Sequence, residues 1–255
     1  MQIDISKIKV LPNRTNEYFE LFYGDIQIKV PESIAIILDG NGRYAKKNNL
    51  SRALGHKAGC EALEVILEEA VRLNIRWLTV YAFSTENWKR SEEEINSLFD
   101  LFFLYLGKIK EKAMKNNVKV KFIGDIKKFP NKLCDECYNL MDLTKNNNRC
   151  VFTIAFNYGS RDEIIRCIKK LDSNGFNFSE ITEEIVSENL DTKFMKDPDL
   201  LIRTSGEIRI SNFLLWQIAY SELYFTDVLW PEFDKNEFYK AIIDYNNRER
   251  RFGGR

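Results

Sequence analysis

Asp39 is followed at once by Gly40-Asn41-Gly42-Arg43, and Arg52 and His56 come soon after. Glycines permit close backbone approach to a ligand, backbone N–H groups entering a helix favour phosphate, and arginines carry planar donor forks that match it. A second basic group, Arg203 and Arg209, brackets Thr204, Ser205 and Ser211. Two such clusters suggest two polyphosphate groups rather than one. A carboxylate repels phosphate unless a cation lies between them. Mg²⁺ is typically held by one or two carboxylates plus substrate phosphates, which makes Asp39 a metal candidate. The plainer readings are a helix N-cap for Asp39 and solvated surface charge for the arginines.

Other motifs are weaker. Gly40-Asn-Gly42-Arg-Tyr-Ala45 fits G-x-G-x-x-A, the dinucleotide fingerprint, but the acid expected about 20 residues on, at a strand end, is missing. Glu61 and Glu64 fall inside a helical pattern instead, and no Walker A motif occurs. Cys134-x-x-Cys137 has no second pair, and the single histidine is remote, so zinc or redox use has little support. Five cysteines and no secretory pattern at the start suggest reduced thiols and a cytoplasmic protein. No apolar run has the length of a membrane span, so the protein should be soluble or at most peripheral to a membrane. Lys+Arg and Asp+Glu both number 38, a balance that argues for no nucleic-acid partner.

The elements that must position these residues follow from periodicity. Buried strands are predicted at Ser33–Leu38, Trp77–Phe83, Val118–Ile123, Cys150–Phe156 and Leu200–Arg203. Between them lies a helical pattern over His56–Leu73. Ser91-Glu-Glu-Glu94 is a capping box for a helix reaching Asn116, about 37 Å long. Its run from Leu98 to Ile109 is apolar on nearly every face, which predicts a buried helix, either tunnel wall or core. Pro130 suits another helix start, and Asp234 can cap a last helix. The alternation implies an α/β fold, a single domain with a mostly parallel central sheet flanked by helices. Residues 1–30 are weakly patterned and are read as an N-terminal extension of unknown role, with the catalytic domain at 31–255. In such sheets ligands bind beyond the carboxyl ends of the strands, and four of those ends here carry polar, charged or glycine-bearing loops.

Those loops carry a resemblance. Ile36-Ile-Leu-Asp39-Gly-Asn-Gly-Arg43, Tyr81-Ala-Phe-Ser84-Thr-Glu-Asn-Trp88, Phe156-Asn-Tyr-Gly159, Asp199-Leu-Leu-Ile-Arg203-Thr-Ser-Gly206-Glu and Arg209-Ile-Ser-Asn-Phe-Leu-Leu-Trp216-Gln, then Tyr220-Ser-Glu222-Leu, resemble the signature blocks of the cis-prenyltransferases. The resemblance, nearest to bacterial undecaprenyl diphosphate synthase, implies an elongated hydrophobic tunnel and a homodimer. It also implies condensation of isopentenyl diphosphate with an allylic diphosphate such as farnesyl diphosphate. The expected product is undecaprenyl diphosphate for the cell-wall lipid carrier; the alternatives are a short-chain product or a non-catalytic partner subunit. It implies Mg²⁺ on Asp39 and Glu222, with Asp39 and Asn87 catalytic. Gly40, Asn41, Gly42, Arg43, Tyr44, Arg52 and His56 would serve the allylic diphosphate. Ser84, Thr85, Glu86, Trp88 and Arg90 belong to the second block. Arg203, Arg209, Ile210 and Ser211 would hold isopentenyl diphosphate. Arg251-Phe252-Gly253 would complete that site in a neighbouring subunit. Tyr44 stands where Trp is usual, and Ser160 where a second glycine is usual.

Overall fold

The computed structural model describes residues 3–250. The Arg251–Gly253 expectation lies outside the described residues. The stretch read as weakly patterned contains a small antiparallel sheet of β1 (Ile8–Pro12), β2 (Phe19–Tyr23) and β3 (Ile26–Gln27). Its single fully buried side chain, Leu21, joins the main core. The Arg72 guanidinium lies 4.0 Å over the Phe19 ring, and Lys29 N–H donates to Asn246 Oδ1 at 2.8 Å. One buried residue among half-buried neighbours in β2 is too little alternation to announce a strand.

The central sheet contains β4 (Ser33–Ile37), β5 (Trp77–Ser84), β6 (Val118–Ile123), β7 (Cys150–Tyr158), β8 (Leu200–Arg203) and β9 (Glu222–Phe225). Their spatial order is β6-β7-β5-β4-β8-β9, and every neighbouring pair is parallel. All five residues of β4 are buried, as continuous apolar runs in a parallel sheet require. Alternate residues serve opposite faces. Ile34 and Ile36 join the larger core, while Ala35 and Ile37 pack with Tyr81, Phe213 and Leu214. β9, absent from the sequence-based expectation, is a short edge strand that opens on a glutamate and is nowhere fully buried.

The helices are α1 (Asn41–Lys47), α2 (Arg52–Arg72), α3 (Glu92–Lys115), α4 (Asn131–Leu143), α5 (Ser160–Ser173), α6 (Glu183–Asn189) and α7 (Lys235–Asn246). Ser91 caps α3 by accepting from Glu94 N–H, and three glutamates fill its first turn, where the helix dipole favours them. Asp234 caps α7 through two N–H groups. The stripe on α3 departs from the expectation of burial on every face. Leu98, Tyr105, Leu106 and Ile109 are buried, but Leu104 is 58% exposed and Phe103 36%. The Lys132 ammonium lies over the Phe103 ring at 4.1 Å, so a cation–π contact covers part of that outward face.

Candidate active site

β4, β5 and β8 bring their carboxyl ends side by side, with Ile37 in register with Tyr81 on one side and Arg203 on the other. Asp39 lies two residues beyond β4. Its backbone is pinned to the β8 end, because Thr204 Oγ1 donates to Asp39 O at 2.6 Å and Trp230 N–H to the same oxygen at 3.0 Å. Arg203 is 4% exposed. Its Nη2 lies 2.9 Å from Asp39 Oδ2, and its Nη1 donates to Ser211 Oγ at 2.7 Å and to Arg209 O. Its Nε is buried without a partner. Arg43 approaches the same carboxylate from α1, with Nη2 3.3 Å from Asp39 Oδ1. Arg43 also donates to Ser205 O at 2.7 Å and pairs with Glu207. Arg43 from one basic cluster and Arg203 from the other therefore meet at Asp39.

Gly40 has φ 115°, and a Cβ there would lie 3.1 Å from the Leu229 and Trp230 backbone; the chain needs glycine to turn into α1. Asn41 packs against α2 where Gly59 leaves room for it. A Cβ on Gly59 would fall 2.2 Å from Asn41 Oδ1, which is buried without a partner. Gly42 faces open space and Tyr44 is half-buried on α1.

The second block forms the other wall. Asn87 Oδ1 accepts from Ser84 N–H at 2.9 Å, fixing the turn after β5. Thr85 Oγ1 fills the space a Gly159 side chain would need, and Glu86 accepts from Asn212 at 3.1 Å. Trp88 donates to Asn157 Oδ1 at 2.7 Å, with its ring among Phe83, Phe99 and Phe129. Arg90 and Arg52 share Glu94, which ties the start of α2 to the start of α3. His56 lies beside them. Burial first, then the Arg90 charge, pushes its imidazole down to about 4 against the pull of Glu94, so it is neutral at neutral pH. Arg209 extends outward to Glu207, and Ile210 packs beneath it against the smaller core.

Asp39, Asn41, His56, Ser84, Asn87, Arg90, Arg203 and Ser211 line the mouth of a cavity of about 240 Å³. Beyond the mouth it runs between α2, α3 and the sheet, walled by residues such as Leu63, Leu67, Phe102, Leu106, Ile154 and Phe156. A charged mouth on an apolar tunnel suits an amphiphile with an anionic head.

The chain matches the family model described as "Putative undecaprenyl diphosphate synthase" over residues 37–253. It is 51% identical to an isoprenyl transferase of Clostridium tetani, covering 88% of this chain and 90% of that one. It is 52% identical to an isoprenyl transferase of Fusobacterium nucleatum, covering 88% and 96%. The chain belongs to the isoprenyl transferase (undecaprenyl diphosphate synthase) family. Solved members share the fold. Lavandulyl diphosphate synthase from Lavandula x intermedia, in complex with dimethylallyl diphosphate, aligns with TM-score 0.85 at 32% identity, covering 88% of this chain and 98% of that one. A probable undecaprenyl diphosphate synthase from Campylobacter jejuni aligns with TM-score 0.76 at 35% identity, covering 89% and 100%.

Within one chain of this isoprenyl transferase family member, Glu222 lies apart from Asp39. Glu222 opens β9 in register with Leu200, three residues before Arg203, so it lies at the amino end of the sheet. At about 3.3 Å per residue, that is roughly 10 Å from the level of Arg203. It pairs there with Arg248 at 2.9 Å, and within one chain it does not meet Asp39. Ser160, the departure from the usual glycine, takes a supporting part. Its N–H donates to Asn212 O and its Oγ accepts from Leu215 N–H, which anchors the 211–215 loop. Sequence reasoning missed Glu64 and Lys112 as cavity-lining residues. The apolar stripe on α3 pointed to the tunnel, but nothing in the spacing set Lys112 apart from solvated lysines.

Proposed function

We propose that this isoprenyl transferase family member extends an allylic diphosphate, with farnesyl diphosphate as the primer, by repeated addition of isopentenyl diphosphate. The product is undecaprenyl diphosphate, for use as a cell-wall lipid carrier. In each addition a carbon–carbon bond forms as the allylic carbon–oxygen bond breaks. The diphosphate leaves with the electron pair, and a proton is lost from the isopentenyl unit. One observation supports this above the others: Arg203, almost wholly buried and with an unpaired Nε, stands with Asp39 at the mouth of an apolar tunnel. A buried donor without a partner is costly unless something arrives to satisfy it.

In this reading Arg43 and His56 with the α1 start hold the allylic diphosphate at the mouth, and its chain enters the tunnel. Arg203, Arg209 and Ser211 hold isopentenyl diphosphate, and Asn87 keeps the β5 turn in place beside the reacting carbons. Among the described residues no three potential ligands cluster for a metal. That fits Mg²⁺ held by Asp39 with diphosphate oxygens supplying the rest of its shell. When bound, the ion would offset the charge gathering on the departing diphosphate. Glu222 could join it only from a second copy of the chain, which the proposed homodimer would provide. Among the described residues no helix is long and apolar enough to cross a membrane. Contact with a membrane surface for product release is part of the proposal.

A short-chain product is the second reading, favoured by the likeness to lavandulyl diphosphate synthase. The deciding experiment incubates the protein with radiolabelled isopentenyl diphosphate, Mg²⁺ and allylic primers of increasing length, then sizes the products. A ladder ending at the undecaprenyl length supports the first reading. Products stopping after one or two additions support the second, and no incorporation with any primer would overturn both.

A further inference from the structure

The tunnel lining carries charge in two places. One is the mouth. The other is Glu64 on α2 with Lys112 on α3. The Arg52–Glu94 pair joins the beginnings of these helices near the mouth, and both run away from it. Glu64 lies about 12 Å along α2 from His56, and Lys112 about 21 Å along α3 from Leu98. Lys112 Nζ is 2.8 Å from Glu64 Oε2 and 2.7 Å from Glu68 Oε1, and Lys108 Nζ is 3.9 Å from Glu64 Oε1. The Glu64 side chain is 18% exposed, and its Oε1 is buried without a hydrogen-bond partner. Burial draws the Lys112 pKa down, but the two glutamates outweigh it and raise the value above that of an ordinary lysine.

We infer that the Glu64–Lys112 ion pair is the floor of the tunnel and limits product length by its charge. The inference rests on the chain-lengthening reading above. An isoprenoid tail offers no hydrogen bonds. To pass the pair it must part the two side chains or strip water from them, and leaving a charge buried and unpaired is strongly unfavourable. Apolar side chains of equal bulk would present no such barrier. Leu67 and Ile109, which wall the same cavity, show what an uncharged lining looks like.

The test replaces the pair without removing its volume, as Glu64→Leu with Lys112→Met. Exchanging an ion pair for apolar residues of similar size is often neutral or stabilising, so this variant should fold. Products made from labelled isopentenyl diphosphate and a fixed primer are sized beside those of the unsubstituted protein. The double variant should lengthen the main product by at least one isoprene unit. Lys112→Arg, which keeps the charge, should leave it in place. An unchanged distribution in the double variant, with label incorporated, would overturn the floor and leave the parent reading intact. So would Lys112→Arg shifting the product as far as the double variant. If the double variant does not fold, Glu64→Gln with Lys112→Gln, which removes both charges at similar length, decides by the same readout: longer products support the charged floor and unchanged products overturn it. No incorporation by the unsubstituted protein would overturn the parent reading instead.

Discussion

Arginines and carboxylates meet at both ends of the central sheet, and the two meetings are built differently. At the amino end Arg248 spans Glu222 and Asp244, while Asp199 accepts from the Glu32 and Ser33 N–H groups and pairs with Lys196. The backbone there is the regular start of β9 and the end of α7. At the carboxyl end the charges rest on irregular backbone: Ser205, Ser211, Asn212 and Leu214 all have positive φ, and Asn157 does too. Non-glycine residues with positive φ persist where the surroundings over-determine them, and they cluster at functional sites. Arg203 keeps an unpaired nitrogen in that setting, next to the cavity. The same residue types thus have their partners already in place at one end and leave a buried donor unpaired at the other.

Asp39 should break or sustain this contrast most sharply. Asp39→Asn keeps the shape and a hydrogen-bond acceptor for Arg203 while removing the charge. Turnover should fall roughly 10²- to 10³-fold, as when a preorganised group at a reacting centre is lost. Circular dichroism should show the fold retained, and EDTA should abolish turnover of the unsubstituted protein. Full activity in EDTA would remove the metal from the site.

His56 tests the electrostatics of the mouth. Its pKa is near 4 in the folded chain against 6.5 ordinarily, because burial and Arg90 disfavour the imidazolium. Between these values the unfolded chain binds the extra proton, so stability rises with pH. This contribution is complete above about 6.5 and is lost as pH falls toward 4, on the order of 3 kcal/mol in all. Urea unfolding of the protein and of His56→Asn across that range should show the difference shrinking in acid. Parallel curves would mean that the mouth is more open to water than the structure indicates.

Arg43→Ala comes next. It should raise the KM for the allylic substrate by roughly 10- to 150-fold, the cost of one charge-assisted contact, with a smaller effect on isopentenyl diphosphate. Because Arg43 also reaches Ser205 and Glu207, the separation is less complete than two distinct clusters would give. Equal effects on both substrates would make the rim a single anion site.

Much of this contrast was legible in the sequence. Five of the six strands of the central sheet were legible because their runs are mostly apolar or, in β6, alternate, and α3 and α7 because Ser91 and Asp234 are strong caps. The polar loops after four strands marked the rim. Three things were hidden. The β1–β3 sheet buries little beyond Leu21, so its pattern is faint. Leu104 counted as core because composition cannot say which face a helix turns outward. The third is the place of Glu222 at the amino end of β9, because chain order cannot tell which end of a parallel strand a residue occupies. That depends on register, and register is a tertiary fact.

Glu222 therefore yields the smallest and most discriminating effect. Its side chain is about a quarter exposed and its Arg248 partner about a third, so the pair is partly screened. Removing the charge with Glu222→Gln should cost about 0.2–1 kcal/mol in urea unfolding, the range of an exposed ion pair. Arg248→Gln should cost more, because Arg248 also pairs with Asp244, and the double variant should cost less than the sum, since the two share one interaction. Additive losses would mean that the pair contributes nothing to stability. Turnover adds a second axis. If Glu222→Gln lost activity as severely as Asp39→Asn while folding normally, the amino-end cluster would belong to a catalytic site. A single chain places it roughly 10 Å from the level of Arg203 along the strand. Such a loss would therefore require a second copy to bring Glu222 to the cation, and mixing the inactive Asp39 and Glu222 variants would then restore activity in one of the two sites of each mixed dimer.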